Sequence, residues 1–343
     1  MSKYTFTVEV LKTRLDKHLA ERLSEFSRSR IQRDIEAEQV TVNGKIIKEP
    51  KHVVRKGDKI IYKPVAAKQK LKPVNVQLKT LYNDHGLLII DKPPGLVVHP
   101  GAGFKGDSLA DALLYQFKDI KLVGEEGRSG IVHRLDKDTS GVMLIALTQP
   151  MYEYLKDAFA ERKIKKEYIA LVCGKLVKQH GFIDSPLGKS KTDFRKMSTK
   201  NFIEAKESLT EYWVLEHLHS PPHEGEREGV LANTPSSTTS PNPSSRGGEF
   251  SGVDSYTLVR VKLHTGRTHQ IRVHFSSLGH PLAGDKLYAG ERAVLPGLPR
   301  QFLHAEKIEV QLPNRTWIEA ESDLPEDLRK VLKALNSKVV NQL

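Results

Sequence analysis

The sequence predicts an α+β protein: a large domain on a mixed, largely antiparallel β-sheet, behind a small basic module of two helices and a hairpin. Three observations carry that expectation. From about residue 78 onward, strand-like runs separated by Gly and Pro turns outnumber helical patterns. Before that point, two amphipathic stretches are followed by Asn43-Gly44 between β-branched runs, a strong two-residue hairpin signal. Between the two regions, residues 64–77 are rich in Pro and Lys, lack periodicity and read as a linker.

Composition agrees with a globular chain and narrows its setting. Of 343 residues, 38% are apolar and 28% charged, enough to bury a real core. No apolar run approaches the ~20 residues that span a bilayer. The start, MSKYTFTVEVLKTR, shows no apolar leader, so the reading is a cytoplasmic protein with no membrane partner. Cys173 is the single cysteine, which excludes an internal disulfide and any multi-cysteine zinc site. The formal charge is +12, and residues 1–75 hold 18 Lys and Arg against nine Asp and Glu. A basic surface concentrated in that way attracts polyanions by releasing their condensed counterions. A merely solubilising face is the competing reading of the charge alone.

Taken in order, residues 14–23 place Leu15, Leu19 and Leu23 at helical spacing. Ser27 reads as the cap of a second helix with Ile31 and Ile35 on its inner face. Arg30 and Arg33 share one side of that helix, with Arg28 close by. Strands VTVNGKII and DKIIYK complete a module spanning residues 12–63. In the larger domain, 78–325, strands are expected at 87–91, 130–136, 142–147, 167–174, 210–216, 256–263 and 307–312. Helices are expected at 108–117, 151–162, 268–278 and 325–335, with Gly279 as a left-handed terminator and 326–343 as a C-terminal helix and tail. In residues 220–252, 20 of 33 positions are Pro, Gly, Ser or Thr, so this segment reads as a disordered insertion that loops out of a hairpin.

Three polar clusters are candidates for chemistry. The first is IVHRLDKDTSG, 131–141. If 130–136 is extended, Arg134 and Asp136 point to one face, and a guanidinium beside a carboxylate favours its charged form. A strand-end ion pair followed by an Asx turn is the plainer alternative. The second, KLHTGRTHQIRVHF at 262–275, offers His264, Arg267, His269, Arg272 and His274 around a Gly turn that opens a helix. His269 and His274 are five apart, which points them well away from each other on a helix and argues against zinc. An arginine-rich helix start that grips phosphate or pairs with a buried carboxylate fits better; Arg267 can reach a neighbouring strand, and Arg272 can equally be solvated. The third, KIKKEYIALVCG at 163–174, puts Lys166 and Tyr168 on one strand face, where the ring can stack on a nucleobase or simply be half-buried. Tyr288 shares that ambiguity.

These residues resemble a known family. HRLDKDTSG (133–141), DKPPGLVVHPGAG (91–103), HTGRTHQIRVH (264–274), GHPLAGDKLYAG (279–290) and QFLHAEKI (301–308) are similar to the ordered motifs of the RluA-type pseudouridine synthases. The basic module resembles the αL RNA-binding module named after a small-subunit ribosomal protein, and with GEEGRSGIVHRLDKDTSG it is most similar to the RluD branch. The resemblance implies the pseudouridine synthase fold and an isomerase that converts uridines of large-subunit ribosomal RNA, or of a pre-ribosomal particle, to pseudouridine. It implies Asp136 as the catalytic aspartate, Arg267 as the arginine that holds it, Tyr168 as the ring under the target base, and Arg134 as the filler of the gap an extruded nucleotide leaves. Arg28, Arg30, Arg33, Lys166, His269 and Arg272 are the further RNA-binding candidates. No cofactor or metal is expected, and the protein is expected to act as a monomer. Leu147 departs from the pattern, standing where relatives often place a lysine. The competing readings are an RluC-like enzyme with other large-subunit sites and a non-catalytic ribosome-assembly protein.

Overall fold

The computed structural model describes residues 4–23, 28–63, 71–100, 106–124, 128–193, 195–219, 255–290 and 295–343. The chain forms two compact units, residues 1–70 and 71–343. The expected Ser27 cap, the first part of the 64–77 linker and the 220–252 insertion lie outside the described residues.

In the first unit, β1 (Tyr4–Thr7) and β2 (Lys12–Arg14) lead into α1 (Leu15–Arg22) and α2 (Arg28–Glu36). Then come β3 (Val40–Val42), β4 (Lys45–Ile46), β5 (Val53–Arg55) and β6 (Lys59–Tyr62), giving a four-stranded sheet of order β1-β6-β3-β4 and a β2-β5 pair. Asn43 and Gly44 both have positive φ, 51° and 81°, the conformation a two-residue hairpin requires. Leu15, Leu19, Leu23, Ile31 and Ile35 are buried together, as their spacing predicts. Asp16, fully buried, accepts from Arg14, Arg28 and Gln32, tying α1 to α2. Burial opposes its charge, but those three donors outweigh it and hold its carboxyl below the usual range.

The second unit carries β7 (Lys79–Asp84), β8 (Leu87–Lys92), α3 (Leu109–Gln116), β9 (Ser140–Ala146), α4 (Gln149–Ala160) and β10 (Lys165–Cys173). There follow β11 (His180–Asp184), β12 (Leu187–Ser190), β13 (Met197–Ser198), β14 (Phe202–Lys206), β15 (Leu209–His219) and β16 (Ser255–Leu263). Last come α5 (Gln270–Ser277), β17 (Leu303–Gln311), β18 (Trp317–Glu321) and α6 (Glu326–Ala334). Nine strands form one sheet of order β11-β15-β16-β10-β17-β9-β8-β7, with β18 also on β17. Every pair is antiparallel except β17 with β9. Strand alternation explains how both faces are filled. On β10, Tyr168, Ala170 and Val172 enter a core shared with α3, α4, β8 and β9, whereas Ile169 and Leu171 pack beneath Leu328 and Leu332 of α6. The C-terminal helix is therefore part of the sheet's second core and not an appendage. Ser108 and Asp111 form a capping box that starts α3, and Thr148 caps α4.

One expectation needs correction here. Residues 130–136 are not a strand: the only bridge is Ile131 with Ile145. The His133 ring takes the place of a main-chain partner, its Nε2 accepting the Leu144 N–H at 2.8 Å, so 132–136 runs irregularly beside β9. The described end of the expected linker, 71–77, carries no helix or strand, and its Lys72 and Val74 amides donate to the side chain and carbonyl of Asp111 on α3.

Candidate active site

The end of that irregular segment delivers Asp136 into a cleft of about 450 Å³, lined also by Arg134, Lys166, Tyr168, His269 and Arg272. Lys166 and Tyr168 come from β10, His269 and Arg272 from the start of α5. Arg272 is 7% exposed and is the arginine that holds Asp136, with Nη1 donating to Oδ2 at 2.9 Å. Its other edge grips Asp285, fully buried, through Nε at 2.7 Å and Nη2 at 2.8 Å. Burial works against the guanidinium's charge, but the two carboxylates outweigh it and raise its pKa. Asp285 is itself fixed by the Leu287 and Tyr288 amides.

The expectation that Arg267 holds Asp136 is thereby corrected. Arg267 lines the cleft, but its Nε donates to the Glu207 carbonyl and its amide is taken by Gln270 Oε1. The helix begins at Gln270, so Arg272 rides its first turn and faces Asp136, while Arg267 precedes the helix and turns towards the cleft rim. Arg272 is accordingly buried and ion-paired, neither solvated nor open to phosphate.

The remaining side chains have distinct surroundings. Tyr168 is 7% exposed; burial, and next the negative charge of Asp136, raise its phenol pKa, so it stays neutral. His269 caps α5 in the left-handed region at φ 54°, its Nδ1 2.7 Å from the Tyr288 hydroxyl and its Nε2 3.8 Å from Asp136 Oδ1. Burial lowers its pKa, with Asp136 opposing. Tyr288 also accepts the Met197 N–H and lies 5.1 Å under the Arg272 guanidinium, so it braces His269 and Arg272 from behind and is not a face of the cleft. Lys166 sits 5.5 Å from the Phe159 ring centroid, and burial lowers its pKa to about 8. Arg134 is exposed at the cleft wall. In the N-terminal unit, Arg28 is half-committed to Asp16 and Arg33 is exposed; the Arg30 side chain lies outside the described residues.

Residues not singled out from the sequence fix the turn after Asp136. Lys92, fully buried, donates from Nζ to the carbonyls of Pro93, Leu96 and Lys137 at 2.7, 3.0 and 3.1 Å. Burial drives its pKa down to about 7, with Asp138 opposing. Arg300 donates to the Asp138 carbonyl and to Ser140 Oγ, and Gln301 to Thr139 Oγ1. Gly141 has φ +115°, and a Cβ there would lie 2.1 Å from the Ala305 carbonyl oxygen, so only glycine lets the turn enter β9 against β17. Lys92 and Gln301 fall inside the motifs at 91–103 and 301–308, and Lys92 is a polar residue closing the apolar strand LLIID; Arg300 lies outside every such motif. Among the described residues, no three His, Cys, Asp or Glu side chains group as metal ligands, and no helix is long and apolar enough to cross a membrane.

An anchored carboxylate beside a neutral tyrosine ring, in a cleft with basic walls, suits covalent or acid–base work on a nucleoside. Comparison with known proteins agrees. The sequence model of the RNA pseudouridylate synthase family matches residues 86–277, over half of the chain, and that of the S4 domain matches 13–60. The chain is 38% identical to an uncharacterized RNA pseudouridine synthase of Aquifex aeolicus, covering 85% of this chain and 81% of that protein. It is 35% identical to the ribosomal large subunit pseudouridine synthase D of Yersinia pestis, covering 94% and 91% respectively. The solved structure of human RNA pseudouridylate synthase domain containing 1 aligns with a TM-score of 0.53 at 25% identity, over 76% of this chain and 96% of that one. The chain therefore belongs to the RNA pseudouridylate synthase family, as an isomerase of the RluA/RluD type with an S4 domain ahead of its catalytic unit.

Proposed function

We propose that this isomerase converts uridines of large-subunit ribosomal RNA to pseudouridine, with Asp136 as the catalytic carboxylate. The substrate class rests on relatives named ribosomal large subunit pseudouridine synthase D, 33–35% identical over nearly the whole chain. The observation that carries the chemical reading is the Asp136 carboxylate pinned by Arg272 beside the Tyr168 ring. The reaction breaks the bond from C1′ to N1, turns the uracil and joins C1′ to C5; the hydrogen lost from C5 is balanced by one gained at N1. Nothing is oxidised, reduced or hydrolysed overall.

A uridine inside folded RNA hides its sugar–base junction, so it must leave the stack at a cost of a few kcal/mol. Tyr168 offers a face on which the extruded base can stack. Arg134 and Lys166 supply charge to the flanking phosphates and to the space the base vacates. Asp136 then either attacks the nucleoside or removes a ribose proton. Arg272 keeps the carboxylate aimed, and His269 braces the same side through Tyr288. Arg33 and neighbouring basic residues of the S4 unit extend the electrostatic grip. The protein works as a monomer in the cytoplasm, where ribosomal RNA is matured. The test is to map pseudouridines in large-subunit RNA from cells with the wild-type protein, without it, and with Asp136→Ala. The reading expects specific sites to vanish in the last two; sites that persist with Asp136→Ala would overturn it.

A further inference from the structure

We infer that the C-terminal helix α6 is part of the catalytic apparatus, acting through a latch in which Asp327 orients Arg300 and Arg300 sets the turn that presents Asp136. The inference rests on the reading of Asp136 as the catalytic carboxylate. Arg300 is 7% exposed and lies just before β17. Its Nε and Nη2 pair with the two Asp327 oxygens at 2.7 and 3.1 Å, a fork-to-fork bridge that fixes the guanidinium plane. The remaining donors then face the turn and the start of β17, where Nη1 also meets the Leu303 carbonyl at 3.4 Å. Nη1 reaches the Asp138 carbonyl at 2.9 Å, and Nη2 also reaches Ser140 Oγ at 3.2 Å. Ser140 is further held by His304, whose other ring nitrogen meets the Ser322 carbonyl ahead of α6.

The turn these groups grip is the one closed by the Thr139 amide donating to the Asp136 carbonyl at 3.1 Å. A change in the plane of the Asp138 peptide is thus transmitted directly to the Asp136 backbone. Asp327 is in the first turn of α6, 191 positions after Asp136 and outside the matched family segment. Its carboxylate is 32% exposed, so the latch can be altered at its outer end without opening the core. The apolar side of α6, Leu328 and Leu332, is buried against the sheet independently of Asp327. Asp327 and Arg300 are therefore positioning residues, distinct from the groups that meet substrate.

Asp327→Asn keeps the shape and weakens the fork; Asp327→Glu keeps the charge; Arg300→Lys loses the planar fork and serves as the second variant. Two readouts apply to the full-length protein. Hydrogen exchange by mass spectrometry should show at least ten-fold faster exchange in a peptide over 137–141 in Asp327→Asn, with 143–146 of β9 unchanged. Tritium release from a large-subunit transcript labelled at uridine C5 should show kcat falling roughly ten-fold with KM within two-fold. Asp327→Glu should recover most of both, and Arg300→Lys should match Asp327→Asn. Unchanged exchange in the turn overturns the latch, and so does a loss shared equally by β9, which would mark a global structural role. If wild type releases no tritium, the functional reading fails, while the exchange result still decides the latch.

Discussion

Replacing Arg272 by Gln separates what this residue does for stability from what it does for turnover. The guanidinium makes three charge-assisted bonds, one to Asp136 and two to the fully buried Asp285. Glutamine has only the two donors of one amide nitrogen and carries no charge, so it cannot replace all three. Truncating one partner of a buried ion pair costs about 3–5 kcal/mol, because the other charge is stranded. At about 2–4 °C per kcal/mol for a unit of this size, Tm should fall by about 6–20 °C, leaving the protein folded at low temperature. The single bond that aims Asp136 is worth about 1.5–3 kcal/mol, or roughly 10- to 150-fold in kcat if it acts only on chemistry. Adding Asp285→Asn removes the stranded charge yet keeps an oxygen for the Leu287 and Tyr288 amides. The double variant should regain most of the lost Tm while kcat stays depressed. The assay is tritium release well below either Tm, beside thermal melts. Turnover within two-fold of wild type in Arg272→Gln, or turnover restored by Asp285→Asn, would refute the assignment of Arg272 as the residue that aims Asp136.

Lys166 has its pKa lowered to about 8 by burial, so its charge fades as pH rises through that value. RNA affinity should weaken between pH 7 and 9, and Lys166→Arg should abolish that alkaline loss; equal pH profiles for the two proteins would exclude Lys166 as a phosphate contact. His133 and His99 are held neutral by burial, at about 3 and about 4 against 6.5 unfolded. The unfolded chain takes up protons first as pH falls below 6.5, so going from pH 7.5 to 5.0 should cost about 2 kcal/mol per histidine. A urea midpoint that is equal or higher at pH 5.0 would contradict this. Residues 1–75 carry a net charge of +9, so deleting the S4 unit, residues 1–70, should weaken binding to large-subunit RNA and flatten its dependence on salt. An unchanged slope would place the grip in the catalytic unit alone.

How much of this was legible depended on the range of the interactions. Alternation in EYIALVCG is a local property, and it places Tyr168 and Ile169 on opposite faces of β10 as found. The α1 and α2 cores follow from leucine and isoleucine spacing for the same reason. The segment GIVHRLD looked equally strand-like, but a side chain, His133, satisfies the β9 edge there, and periodicity cannot reveal that. Choosing between Arg267 and Arg272 required knowing that α5 starts at Gln270, because a shift of a few residues exchanges which arginine faces inward. The supports of the turn after Asp136 were least legible. Lys92 meets Lys137 across 45 positions and Arg300 meets Asp138 across 162, and only the closed sheet brings them together. The short strands β12 to β14 gave no warning either, since Leu187–Ser190 and Met197–Ser198 are too brief to show a period.

The most direct measurement of the catalytic role is a single-turnover comparison of wild type and Asp136→Asn on a large-subunit transcript, with RNA affinity measured on the same samples. The amide preserves shape and the Arg272 contact geometry while removing the charge and the nucleophilic oxygen pair. The account expects affinity within a few-fold of wild type and no detectable pseudouridine from Asp136→Asn. Pseudouridine forming at a rate near wild type would show that the carboxylate in this cleft is not the reacting group.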